Sequence, residues 1–205
     1  MNYKVTAIRD GDGSSLPGVF QGNSTITGIT LPNTLTYIGD NTFVNANGLQ
    51  GDLKIPASVV TIGTNAFSQQ DQLTGRIEFE GALDGKSKLT TIRQNAFRRV
   101  QKAERTLIIP ASVETIELSA FYQVGASGRL GSGLIFVGAN DGTSHLSSIG
   151  SGTAGGFVGT FRYSAFSGKI LFPASLLSIS RGFIEVNDPV EVAFAAGSQL
   201  TTIGG

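Results

Sequence analysis

LKIPASVVTIGTNAF, residues 53–67, decides the fold, because the chain writes it again and again. LPNTLTYIGDNTF (31–43) precedes it, IIPASVETIELSAF (108–121) follows it, and LFPASLLSISRGF (171–183) is a looser copy. Two further units keep only the second half: LTTIRQNAF at 89–97, and LSSIG at 146–150 with its SAF delayed to 164–166. VTAI (5–8) opens the series and LTTIG (200–204) closes it. One landmark recurs throughout, an isoleucine at Ile8, Ile38, Ile62, Ile92, Ile116, Ile149, Ile179 and Ile203. Its spacings are 30, 24, 30, 24, 33, 30 and 24 residues. A period in that range means a solenoid, in which each unit buries its apolar side only against its neighbours. The expectation is one elongated domain over residues 1–205, built of about eight units.

Each full unit has three parts. A short strand comes first: Ile29–Leu31, Leu53–Ile55, Ile77–Phe79, Leu107–Ile109, Leu134–Phe136, Ile170–Phe172 and Val192–Phe194. Its outer two members point inward and its middle one outward, as a period of two requires. In four units a proline follows (Pro32, Pro56, Pro110, Pro173), which removes an N–H and turns the corner. Next comes (Leu/Val)-x-x-Ile, whose inner faces stack as a ladder. Last comes Gly-x-(Asn/Ser)-Ala-Phe. Here Asn41, Asn65, Asn95, Ser119 and Ser164 are expected to cap single helical turns, and Phe43, Phe67, Phe97, Phe121 and Phe166 to form an aromatic spine. FEGALDGKSKL (79–89) and FVGANDGTSHL (136–146) match position for position and replace the proline corner by a glycine loop. Proline and glycine-loop units alternate from there on, so the array geometry should alternate too.

Bulk composition narrows the function. Fifteen acidic and fifteen basic residues cancel, and no basic run marks a nucleic-acid or anionic-membrane surface. No apolar stretch approaches the ~18 residues of a membrane span. Cysteine is absent, which rules out disulfides and thiolate metal sites. His145 is the only histidine and makes no metal constellation. Asp10-Gly-Asp12-Gly-Ser14 alternates oxygen ligands as a calcium loop does, but Gln21 stands where the closing acid belongs. Serines are plentiful without a histidine and acid at nucleophile spacing. The expectation is no enzyme, no cofactor and no metal.

The pattern IPxSVxxIGxxAF closely resembles the BspA-like class of leucine-rich repeats, over essentially the whole chain. That resemblance implies a curved right-handed solenoid of short parallel strands with strands or single helical (α or 3-10) turns opposite them. It also implies a cell-surface or secreted place, with adhesion or protein binding as the role. Cysteine, common in that class just after Ala-Phe, is replaced here by Ser68-Gln69-Gln70 and Arg98-Arg99-Val100.

Two columns are candidate surfaces. The outward strand position runs Thr30, Lys54, Glu78, Ile108, Ile135, Leu171 and Ala193. Its later members make an apolar stripe on a face that should be wet, which marks either an interface or a self-covered surface. Ile108, Ile135 and Leu171, with Lys54 and Glu78 as the polar end, are the expected contacts for a protein or glycan partner. The second column precedes the landmark isoleucine: Ala7, Tyr37, Thr61, Thr91, Thr115, Ser148, Ser178 and Thr202. It is read first as strand chemistry, with ice binding as the rival. The ends start and stop mid-pattern, which is read first as excision from a longer array; the competing function, from another class, is head-to-tail self-assembly through those ends.

Overall fold

The computed structural model describes residues 4–11, 17–103, 106–125, 133–152, 159–180 and 190–204. Its strands, numbered in chain order, fall into two sets. One set is β1 (Ala7–Ile8), β2 (Tyr37–Ile38), β4 (Thr61–Ile62), β6 (Thr91–Ile92), β8 (Thr115–Glu117), β10 (Ser148–Ser151), β12 (Ser178–Ile179) and β14 (Thr202–Ile203). These form one parallel eight-stranded sheet in sequence order. Every landmark isoleucine lies beside the next, from Ile8↔Ile38 to Ile179↔Ile203. Beyond the Ile149↔Ile116 pair the register of β10 on β8 shifts between Ile149 and Ser151, where Gly150 takes a positive φ of 84°.

The other set is β3 (Leu53–Ile55), β5 (Ile77–Phe79), β7 (Leu107–Ile109), β9 (Leu134–Phe136), β11 (Gly168–Phe172) and β13 (Val190–Phe194). The expected single column is here three separate parallel pairs, β3–β5, β7–β9 and β11–β13. Ile29–Leu31, expected as a strand, is not one. One missing atom accounts for both differences. Within each pair, the residue after the second strand donates its N–H to the last carbonyl of the first: Glu80 to Ile55 (2.9 Å), Val137 to Ile109 (3.0 Å), Ala195 to Phe172 (2.8 Å). At the next step that position holds proline. Pro56, Pro110 and Pro173 cannot donate to Leu31, Phe79 and Phe136. In strands of about three residues the loss of one rung is a large share of the ladder. The carbonyls of Phe79 and Phe136 instead accept from Ala82 and Ala139 (3.2 Å each).

The eight-stranded sheet shows the converse. The residue after its isoleucines is never proline, and Gly63, Arg93, Ser180 and Gly204 donate to Ile38, Ile62, Ile149 and Ile179 at 2.8–3.0 Å. One face is therefore continuous and the other is paired.

The expected helical turns are absent among the described residues; tight turns with left-handed residues take their place. Asn41, Asn65, Asn95 and Ser119 have φ of 55–58°, and four residues on Asn45, Gln69, Arg99 and Gln123 have φ of 54–61°. Asn65 is the third residue of a turn closed by Ala66 N–H to Gly63 O (3.2 Å). Such a turn needs positive φ at that place, which asparagine tolerates better than most residues. Alternate amides then bond to the next unit, as in Asn65 to Gln94 O (3.0 Å), Phe67 to Ala96 O (2.7 Å) and Gln69 to Arg98 O (2.7 Å). This is a third inter-unit ladder, made without strand geometry.

Inside it run the phenyl rings. Phe20, Phe43, Phe67, Phe97, Phe121 and Phe161 stack at 4.9–5.5 Å with planes within 9°. The last member is Phe161, not the expected Phe166, which meets Phe161 edge-on (68°). Backbone register decides this. Phe121 donates to Thr160 O (2.9 Å), as Phe97 does to Ala120 O, so Gly159-Thr160-Phe161 occupies the Asn-Ala-Phe place. Ser164, expected as a cap, is buried and bridges Phe121 O and Val124 N. Phe183 lies outside the described residues.

Several buried polar side chains are imperfectly housed. Ser68 Oγ, Gln70 Oε1 and the Thr160 hydroxyl, which stands where Ala66, Ala96 and Ala120 stand in their units, have no hydrogen-bond partner among the described residues. An unpaired buried polar group costs ~1–3 kcal/mol. Thr160→Ala should therefore leave stability unchanged or raise it. Phe97→Ala, fully buried and stacked on both sides, should cost ~3–5 kcal/mol. Chemical denaturation followed by far-ultraviolet circular dichroism checks both.

Candidate binding face

The paired strands position every residue of the apolar stripe. Lys54 sits beside Glu78, Ile108 beside Ile135, and Leu171 beside Ala193. The structure thus brings the five candidate contacts onto one side, split across three ladders. Ile135 is 47% exposed, whereas Ile108 and Leu171 are half-buried and pack against the core. The glycine-rich segment 151–163 is not seen to cover this stripe: Ser151 lies in β10, residues 159–163 belong to the turn ladder, and residues 153–158 lie outside the described residues.

Where the ladder breaks, the surface opens. Between β5 and β7 lies a groove of about 380 Å³, walled by Glu78, Phe79, Glu80, Asp84 and Ile108. Between β9 and β11 lies another of about 460 Å³, walled by Ile135, Phe136, Asn140, Lys169 and Leu171. Neither groove was legible from the stripe alone. The signal was present all the same, in the prolines at 110 and 173.

Charge on this face is locally organised. Arg76 Nη2 meets Asp52 Oδ2 at 2.9 Å and Glu78 Oε2 at 4.0 Å, and Lys54 Nζ reaches Glu78 at 3.9 Å. The Arg76 backbone N–H, and then its side chain, hold the Asp52 carboxyl below the usual range. In the glycine loop, Lys86 does the same to Asp84 at 2.6 Å. These pairs are exposed and contribute little to stability.

The continuous sheet carries the second column. Thr61, Thr91, Thr115, Ser148 and Ser178 are half-buried, while Tyr37 reaches across to Asp10 Oδ1 at 2.7 Å. Asp10 Oδ1 also accepts from the Asp40 N–H (2.7 Å), and Asp40 Oδ1 from the Thr64 N–H (2.7 Å). The calcium reading of Asp10–Ser14 falls partly on residues 12–16, outside the described residues. Among the described residues no three His, Cys, Asp or Glu side chains gather as for a metal. Among the described residues there is no helix long and apolar enough to cross a membrane.

A stack of parallel units with a continuous sheet on one side and paired strands on the other defines a leucine-rich-repeat solenoid. Residues 17–127 match the family described as BspA type leucine rich repeat region, in six copies, and the chain belongs to that family. Such repeats are in general surface adhesion and binding repeats and typically non-catalytic. No curated protein and no solved structure matches the chain.

Burial first, then the hydrogen bond to Asp10 and the nearby Asp40 charge, push the Tyr37 phenol up to about 12. Its folded value exceeds the ordinary ~10, so the stabilisation it gives is complete below pH ~10 and is lost as pH rises through about 12. Absorbance titration near 295 nm should find a tyrosine ionising near pH 12 that disappears in Tyr37→Phe. Asp10→Asn should bring its midpoint down.

Proposed function

We propose that the chain is a non-catalytic binding module of a cell-surface or secreted protein, taking a protein or glycan partner on its paired-strand face. The observation that carries this reading is the placement of exposed Ile135 and half-buried Ile108 and Leu171 along two open grooves. Apolar side chains beside concave, partly polar surface are the ingredients of an interface core and its rim. Lys54 and Glu78 supply the polar end of the same strip. The family's general role in adhesion and binding supports the same reading.

The test substitutes Ile135 and Leu171 to aspartate together and measures binding to matrix-protein and glycan panels. Binding should fall at least ~10-fold, since a buried unpaired charge costs several kcal/mol. Thr91→Asp, on the continuous sheet, should bind as the wild type does. The reverse pattern would put recognition on the other face.

A second reading rests on the outermost described units. Ile203 is 70% exposed, Val192 and Phe194 of β13 are exposed too, and at the other end Val5 and Val19 border an apolar groove of about 390 Å³. Head-to-tail association would bury both surfaces. It predicts a mass that grows with concentration in light scattering and that Ile203→Asp holds at the monomer.

A further inference from the structure

The two ends of the array leave open what its internal junctions close. Ile203 is exposed and Leu200 half-buried, whereas Leu176 and Ile179, at the same places one unit earlier, are buried. At the other end Val5 is exposed, whereas Leu35 at the same place is buried. Inside the array one bonding scheme recurs. The two residues before a landmark isoleucine donate their N–H groups to a single carbonyl of the preceding unit. Glu114 and Thr115 do so to Thr90 O (2.9 and 3.2 Å), and Thr201 and Thr202 to Leu177 O (2.9 and 3.3 Å). The residue after the isoleucine donates to the preceding isoleucine, as Gly204 does to Ile179 O (2.8 Å). Hydroxyls of Thr36, Thr90, Ser147 and Thr201 reach back to the preceding unit's carbonyls in the same way.

The outer edges of β1 and β14 carry the two halves of that scheme. By position, Thr201 O and Ile203 O are the acceptors left open at one end. The N–H groups of Thr6, Ala7 and Arg9, with the Thr6 hydroxyl, are the donors left open at the other. The side chains match as well. LTTI (200–203) repeats LTTI (89–92), and the unit that stacks on LTTI (89–92) is VETI (113–116), of which VTAI (5–8) is a near copy. An LTTI end meeting a VTAI end thus reproduces a junction that the molecule already contains. β13 belongs to the same unit as β14, so such a junction also carries the exposed Val192 and Phe194 toward the groove walled by Val5, Ile29 and Leu31.

On the reading that the ends associate, we infer that the occupant of each end is a second copy of this chain, joined in a single register. β1 of one copy adds to β14 of another as a parallel strand, with Ala7 beside Thr202 and Ile8 beside Ile203. Arg9 then donates to Ile203 O, and Thr6 and Ala7 donate to Thr201 O. The contact is heterologous and leaves the same two ends open on the dimer, so it propagates rather than closing.

The chain has no cysteine, so a disulfide reports only an introduced pair. Ala7 and Thr202 lie at opposite edges of the eight-stranded sheet, seven spacings of ~4.8 Å or ~34 Å apart, and cannot bridge within one copy. In the stated register their Cα atoms come to ~4.8 Å, within the range of a disulfide. Ala7→Cys with Thr202→Cys should give a ladder of covalent multimers on mild oxidation, lost on reduction. Thr30→Cys with Thr202→Cys, from different columns of the repeat, should give none. In light scattering, Arg9→Pro, which removes the edge donor, should need roughly 10-fold more protein for the same gain in mass. Arg9→Ala keeps that donor and should associate as the wild type does, with circular dichroism checking that both variants are folded. Should Arg9→Pro prove unfolded, the disulfide ladder decides alone. If the wild-type mass stays constant with concentration, the end-association reading fails and this inference with it. If the mass grows but the 7–202 pair gives no ladder, or Arg9→Pro associates as readily as Arg9→Ala, the register is wrong while end association stands.

Discussion

One backbone N–H, present or absent after each short strand, governs how this molecule differs between its two faces. Parallel units stacked in register need every residue at that place to donate to the unit before. After the landmark isoleucines a donor always stands there, in Gly63, Arg93, Ser180 or Gly204, and the sheet runs unbroken through eight strands. On the other face a proline stands there at every second step, and the strands pair off. The core does not register the interruption. Its phenyl rings keep their spacing from Phe20 to Phe161 because the turn ladder, rather than the paired strands, holds them.

That division of labour explains how a repeat protein varies its surface without losing its fold. Burial between neighbours and two unbroken ladders supply cohesion. The third face is released from continuous pairing, so its outward residues and glycine loops can differ from unit to unit. Glu78 and Ile135 occupy the same place in the repeat, yet one lines a groove with Glu80 and Asp84 and the other a groove with Phe136 and Leu171. A solenoid of the BspA type thereby gains concave surface on what would otherwise be a flat sheet.

Much of this was legible in the residues. Period and inward positions followed from the isoleucine spacing, and the alternation of proline and glycine-loop units foretold an alternating geometry. Three features escaped for physical reasons. Asn65 and its counterparts suggest helix caps because asparagine serves both caps and left-handed turns, and only the backbone distinguishes them. Phe166 matches the letters of the motif better than Phe161, but hydrogen-bond register, which letters do not carry, put Phe161 in the stack. The grooves were missed because the strand column was taken as evenly spaced, although the missing proline donors were written in the sequence.

Amide hydrogen exchange by nuclear magnetic resonance on Pro110→Ala tests the central claim most directly. The account predicts that the amide created at position 110 is protected, that Phe79 becomes its acceptor, and that β5 and β7 join into one ladder as the groove between them closes. Fast exchange at position 110, with β5 and β7 still unpaired, would show that something other than the proline's missing donor splits this face.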